Sequence, residues 1–484
     1  MQVLQFKTVH LAVIGAIASV FGMAAENINA EPLLTYEQNK VVDNVLSNAD
    51  AGTQGFLYLN KKGETYSGQN ASSDTLSFVN KTTGTNSLVY LTGTGGSLTV
   101  SKLSELNFST EERLIGKAGN GADNVAILVN YNGSLSVTDV QQVNFGTQNK
   151  RFQGDQAINS WGGGKLDFSG IKTLAFYTDG GQAINMQSTS SLSIKDVDTL
   201  ILDNYQSQEK AANSLYSAIQ LMVMAGDNRA SAETVDVNVG NLVIKADSKY
   251  TQSAGISVTD YTKDYQGTSS IKGSFAAKNI SIDGGTYGIR SNRSTENSRD
   301  SVLDVTAENS LVVNGGKNAV WLNNEAGHGI TFNAEAANAT FTGGEEGVLS
   351  ENGTASIKAD SLTVSGDKSA LNFDKGSSLT LANKTDSQTA NTTLNGNVTI
   401  AGSATFKNQD INQTAGTFHV STLDASNSKL TFNTTENGGV TVGTLTGDLK
   451  LEAGASVTEK LGSAEKVAEA LKTIIGGNAA DKLK

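Results

Sequence analysis

Residues 134–202 decide the fold. They read SLSVTDVQQVNF at 134–145, QAINSW at 156–161, KLDFSGIKTLAF at 165–176, QAINMQ at 182–187 and SLSIKDVDTLIL at 191–202. Two phrases alternate in this stretch. One sets a small residue before an aliphatic, as in Ala157-Ile158 and Ala183-Ile184. The other alternates apolar with polar, pauses, and alternates again: Leu135 and Val137, then Val143 and Phe145; Leu166 and Phe168, then Leu174 and Phe176. A period of two residues is the mark of a strand with one face buried.

Outward from this stretch the same three-part phrase recurs from about residue 86. Its first part is Ala126-Ile127, Ala218-Ile219, Gly255-Ile256, Gly288-Ile289, Ala319-Val320, Gly347-Val348 and Ala370-Leu371, with Leu88-Val89 as an earlier member. The nine steps from Val89 to Leu371 average about 31 residues. Three short strands per step predict an all-β fold, a right-handed parallel β-helix with one coil per phrase. A single coil cannot bury its inward Leu, Ile, Val and Phe, whereas stacked coils share one aliphatic column. At about 4.8 Å per coil, nine steps make a segment of roughly 43 Å. Beyond 372 the phrase shortens to LNGNVTI at 394–400, FHV at 418–420, LTF at 430–432 and VTV at 440–442.

Composition agrees. The 484 residues include 51 Gly, 45 Asn, 49 Ser and 49 Thr, but 1 Pro and 0 Cys. Gly, Asn and Ser supply tight turns, and proline would delete a ladder donor between paired strands. The lack of Cys excludes disulfide scaffolds, thiol catalysis and thiolate metal sites. A net charge of −12 without a Lys/Arg run argues against nucleic-acid partners.

The ends differ in character. Lys7 followed by LAVIGAIASVFGMAA at 11–25 predicts a signal peptide over residues 1–30, with cleavage after Ala24 or Ala30. The apolar run is too short to span a bilayer, and no later stretch suffices, so no membrane span is expected. Residues 31–85 read as an N-terminal cap region containing a short helix near 36–46, and 86–455 as the β-helix. The segment 206–224 reads as a helical or long-loop excursion. Val467, Leu471, Ile474 and Ile475 predict an amphipathic helix at 463–475 within a helical junction segment, 456–484.

The signal at 1–30, the absence of Cys and the repeated Ser-Leu-x-Val, Gly-Gly and Ala-Ile-Asn phrases resemble the secreted passenger region of a Gram-negative autotransporter, of the adhesin type. The resemblance implies export through the periplasm and a secreted or cell-surface location. It implies a non-enzymatic rod whose loops serve adhesion to an unknown host or bacterial surface ligand, or self-association. Members carry a C-terminal outer-membrane β-barrel; this chain lacks one, and a fragment ending before the barrel is the expectation.

Catalytic signals are sparse. His328 and His419 stand alone in Gly/Thr-rich surroundings, and no nucleophile elbow, phosphate loop or zinc-protease motif occurs. The 119–123 stretch GNGAD resembles one turn of a calcium-binding nonapeptide roll, which needs tandem copies. No catalytic, cofactor-binding or metal residue is therefore assigned, and no cofactor is expected. The alternative is a β-helix carbohydrate-active enzyme, a polysaccharide lyase or glycosidase. Its carboxylates would be Asp139 and Asp196, at equal positions two coils apart, roughly 10 Å. Trp161 and Trp321 follow the first-strand phrase and serve either packing or a ligand.

Overall fold

The structure is a computed structural model that describes residues from 57 to 454, leaving out short internal stretches such as 115–123, 208–215, 224–230, 248–251, 261–268, 294–300 and 325–329. The expected signal at 1–30, the helix near 36–46, and the helix at 463–475 with its junction segment lie outside the described residues. Among the described residues every named element is a strand, and every pairing between named strands is parallel. The chain forms a parallel β-helix.

Each coil has a short strand and a long one. Val125–Asn130, Gln156–Trp161 and Gln182–Gln187 are short; Ser134–Phe145, Lys165–Asp179 and Ser191–Tyr205 are long. Short strands stack on short strands, with Ile127 under Ile158 and Ile158 under Ile184. Long strands stack likewise, with Ser134, Lys165 and Ser191 in one row. The segment expected as an excursion at 206–224 instead supplies a short strand, Tyr216–Val223, whose Ile219 continues the same column. Coils already exist below residue 86: Leu57–Asn60 pairs with Ser87–Thr92, and Thr75–Asn80 with Ser97–Thr110. At the other end Leu371, Val398, Phe418 and Val440 continue the column, with a step of only 20 residues between Val398 and Phe418.

The second and third parts of the phrase are not separate strands. Between Ser97 and Gly343 they run as one strand of 12 to 16 residues bent at its middle. In successive coils the bend falls on Lys102, Asp139, Gly170 and Asp196, all at positive φ between 53° and 63°. One left-handed residue turns the chain without ending its pairing. In Ser231–Ala246 the inserted residue is absent, and the register shifts between Lys195 and Val197; Ser301–Gly315 again carries one extra residue at its bend. The inward corner residue is Leu103, Val140, Ile171, Val197 and Val239 in the earlier coils and Ala277, Ala307, Ala336 and Ala359 in the later ones.

The core is a continuous column whose aliphatic and aromatic residues are almost fully buried. Phe78, Phe108, Phe145 and Phe176 stack at centroid spacings of 5.0, 4.6 and 4.4 Å, nearly parallel. The small residue before each first-strand aliphatic sits where the third part turns into the next coil. At Gly288 a Cβ would lie 2.5 Å from Val313 Cγ1, so the corner admits nothing large.

Candidate functional site

The bend decides where the two sequence-predicted carboxylates stand. Asp139 and Asp196 occupy the same bend on the same face, with Gly170 of the intervening coil between them. Two coil steps separate their backbones by roughly 10 Å. Asp139 Oδ1 fills the space that a Cβ on Gly170 would enter, 2.7 Å from it. Both carboxylates are exposed. Aspartate tolerates the left-handed region better than most residues, so these two positions serve the backbone.

Beside the bend lies a groove of about 670 Å³ lined by Asp196, Asp198, Lys278, Glu308 and Lys384 among others, with Val239 and Ala277 also in its wall. Asp139 is not among its lining residues. Lys384 reaches back along the rod and donates to the Glu308 carbonyl at 3.3 Å. Asp196, Asp198 and Glu308 are all exposed. Nearby carboxylates on the long-strand face have partners. Asp236 pairs with Lys195 at 2.7 Å, and this hydrogen bond raises the Lys195 pKa. Asp304 accepts from Asn333 Nδ2 at 2.8 Å.

His419 is half-buried on Phe418–Phe432, beside Thr399 and Thr441. His328 and the 119–123 stretch lie outside the described residues. No group of three or more His, Cys, Asp or Glu able to hold a metal occurs among the described residues. No helix among them is long and apolar enough to cross a membrane.

The comparisons add no identity. No protein family, curated protein or solved structure matches the chain.

What sequence reading missed is the outward face of the short strands. Because the small corner residue drops out of the ladder, Gln182 and Asn185 both face outward around inward Ile184. Amides link successive coils there: Gln156 Nε2 donates to Gln182 Oε1 at 3.1 Å, Gln182 Nε2 to Gln220 Oε1 at 2.7 Å, and Gln220 Nε2 to Thr259 Oγ1 at 3.2 Å. Farther along, Glu346 accepts from Asn318 Nδ2 and Asn372 Nδ2. The repeated Ala-Ile-Asn phrase was the available signal, since its Asn is the residue after the inward aliphatic.

Both tryptophans lie on this face, half-buried. Trp321 stacks on Tyr287 at 5.0 Å, shares the Arg290 guanidinium at 5.3 Å, and donates Nε1–H to Glu351 Oε2 at 2.8 Å. Trp161 meets exposed Tyr131 edge-on at 4.5 Å. Trp321 is thus held on all sides that matter for packing, while Trp161 borders solvent.

Inside the rod one carboxyl stands apart. Glu233 is inward-facing beside Ile271, 1% exposed, and neither oxygen has a hydrogen-bond partner. Burial pushes its pKa well above the ordinary 4.5.

Proposed function

We propose that the chain is the β-helical passenger of an autotransporter-like protein, a non-enzymatic surface rod that presents its turns and loops for adhesion or self-association. The observation that carries this reading is the outer surface. Many outward short-strand positions carry amides and hydroxyls, interrupted by residues such as Leu128, Arg290 and Trp321, and the carboxylates nearest to a catalytic arrangement are exposed bend residues. A rod of this kind offers a long, polar, mostly uncharged flank, which suits many weak contacts repeated along a surface. Export to the cell surface of a Gram-negative bacterium accompanies the reading. The test is display of the chain on recipient bacteria through an outer-membrane barrel. Gain of binding to host or bacterial cells, or of clumping, is expected; cells that display the rod and gain neither would overturn it.

The bend groove gives a specific reason to keep a second reading, a carbohydrate-active enzyme. It gathers Asp196, Asp198 and Glu308 with two lysines in one open trough. Incubation of the purified chain with acidic and neutral polysaccharides decides it. Release of reducing or unsaturated ends that Asp196→Asn or Glu308→Gln abolishes would favour the enzyme over the rod.

A further inference from the structure

The second arm of each long strand, from Ser134–Phe145 to Ala390–Lys407, aligns its outward residues in rows along the rod. One row runs from Gln142 through Thr173, Asn241 and Ser310 to Asn391; the next runs from Asn144 through Ile201 and Thr340 to Thr393. Over these nine coils neither row holds a charged residue. Charge returns to the first row at both ends, as Glu105 one coil before Gln142 and Asp410 one coil beyond Asn391. The first arm of the same coils carries Asp167, Lys195, Asp236, Asp304, Glu335 and Lys358 on its outward side. In a chain that is 17% charged, two such rows single out one face.

The strip is also partly apolar. Ile201, Val243 and Val312 lie in its second row, each partly exposed. Its amides already bond along the rod: Asn279 Nδ2 donates to Asn241 Oδ1 at 2.9 Å, and Ser310 Oγ to Asn279 Oδ1 at 3.2 Å. Covering groups that are bonded in this way strands few donors. A third outward row holds Asp203, Lys245 and Asp283, of which Asp203 pairs with Arg151 at 2.9 Å; from Asn314 to Asn395 it too is uncharged.

We propose that this strip is the surface on which a second copy of the chain packs, face to face and side by side. The inference rests on the surface-rod reading and names its self-association partner. Copies that each carry a net charge of −12 repel, and they approach at least cost where neither presents charge. The strip repeats at about 4.8 Å for eight steps, roughly 38 Å. A second copy offers the same repeat and the same twist, so rung meets rung along its length, whereas a globular partner has no such repeat to match. Three rows span roughly 13 Å, so the pair would bury about 1,000 Å² in total, at the low end for a specific interface. The dimer is therefore weak. A twofold axis along the rod sets the second row on itself, so Ile201, Val243 and Val312 meet their own copies. Lys245 and Asp283 then face the neutral Asn241 and Asn279.

Sedimentation of the purified full chain over a wide concentration range tests this. A monomer–dimer equilibrium is expected that persists in 1 M salt, where charge-driven contacts are screened. The double variant Val243→Lys with Val312→Lys sets like charges against each other and should weaken the dimer at least about tenfold. Both side chains point outward, so the variant should keep the parental β circular dichroism. Ser274→Lys, on the first arm, should leave the equilibrium unchanged. A chain monomeric at every concentration, a dimer that salt dissolves, or a folded double variant that dimerises like its parent would each overturn the proposal. So would binding of the monomer to neutral phosphatidylcholine vesicles that the double variant abolishes, which would assign the strip to a lipid surface. If cells displaying the rod adhere although the purified chain stays monomeric, the strip proposal fails and the surface-rod reading stands.

Discussion

Glu233 puts an ionisable group among aliphatics, and its cost depends on pH. Below about pH 4.5 the carboxyl is protonated in both folded and unfolded chains, and its contribution to stability is fully present. As pH rises the unfolded chain ionises while the buried group keeps its proton, so that contribution is lost up to and through the folded value. Glu233→Gln removes the linkage. Urea denaturation should show parent and variant closest near pH 4, with the variant gaining steadily toward pH 8; a gap that stays constant across this range would reject the assignment. Gly170 tests the bend. Gly170→Ala should cost about 1–2 kcal/mol, because a left-handed alanine is strained and its Cβ meets Asp139 Oδ1. Asp139→Ala should restore part of that loss in the double variant. An equal loss in both backgrounds would mean that the carboxylate is not the obstacle. Glu233 shares the inward parity of Val235 and Val237, yet sequence reading did not single it out. The bend role of Asp139 and Asp196 was not legible: a single left-handed residue leaves no turn signature, and equal spacing looked like paired chemistry.

At the scale of elements the aliphatic register was readable because stacking forces it. An inward residue must meet another inward residue one coil away, so Ile158, Ile184 and Ile219 had to recur at matching places. Strand boundaries were less readable. The phrase suggested three strands where the chain builds two, since the bend interrupts the side-chain alternation but not the pairing. The shortened phrases after 372 hid a column that continues unbroken, because coils lost turn residues rather than core residues. The phenylalanine stack is the densest part of that core. Phe145 lies between Phe108 and Phe176 and is fully buried. Phe145→Ala should destabilise by about 3–5 kcal/mol, through lost burial and a cavity that rigid neighbouring coils cannot close. In a solenoid the damage should stay local. Amide exchange should accelerate most in Ser97–Thr110, Ser134–Phe145 and Lys165–Asp179, with Val440–Ala453 little changed. Uniform acceleration along the rod would show that it unfolds as one unit instead.

The whole molecule owes its stability to contacts between adjacent coils, with strands meeting their counterparts one step away. Thirteen steps of one column, from Leu57 to Val440, give a length of roughly 62 Å at about 4.8 Å each. A fold of this kind has no unique centre, so the loss of one coil should shorten it without dissolving it. Deleting residues 159–184 removes one complete step from Ile158 to Ile184 and seats Ser191–Tyr205 on Ser134–Phe145 with the ladder in phase. It would also bring Asp139 directly against Asp196, so the deletion belongs in an Asp139→Gly background, where like charges do not meet at the new seam. The shortened chain should keep its β circular dichroism and cooperative unfolding, and small-angle scattering should report a rod shorter by about 5 Å. Deleting only 159–171 should abolish folding, because it ends half-way round the coil and sets inward residues against turns. If the two deletions prove equally harmful, coils are not interchangeable units and the core depends on contacts beyond nearest neighbours.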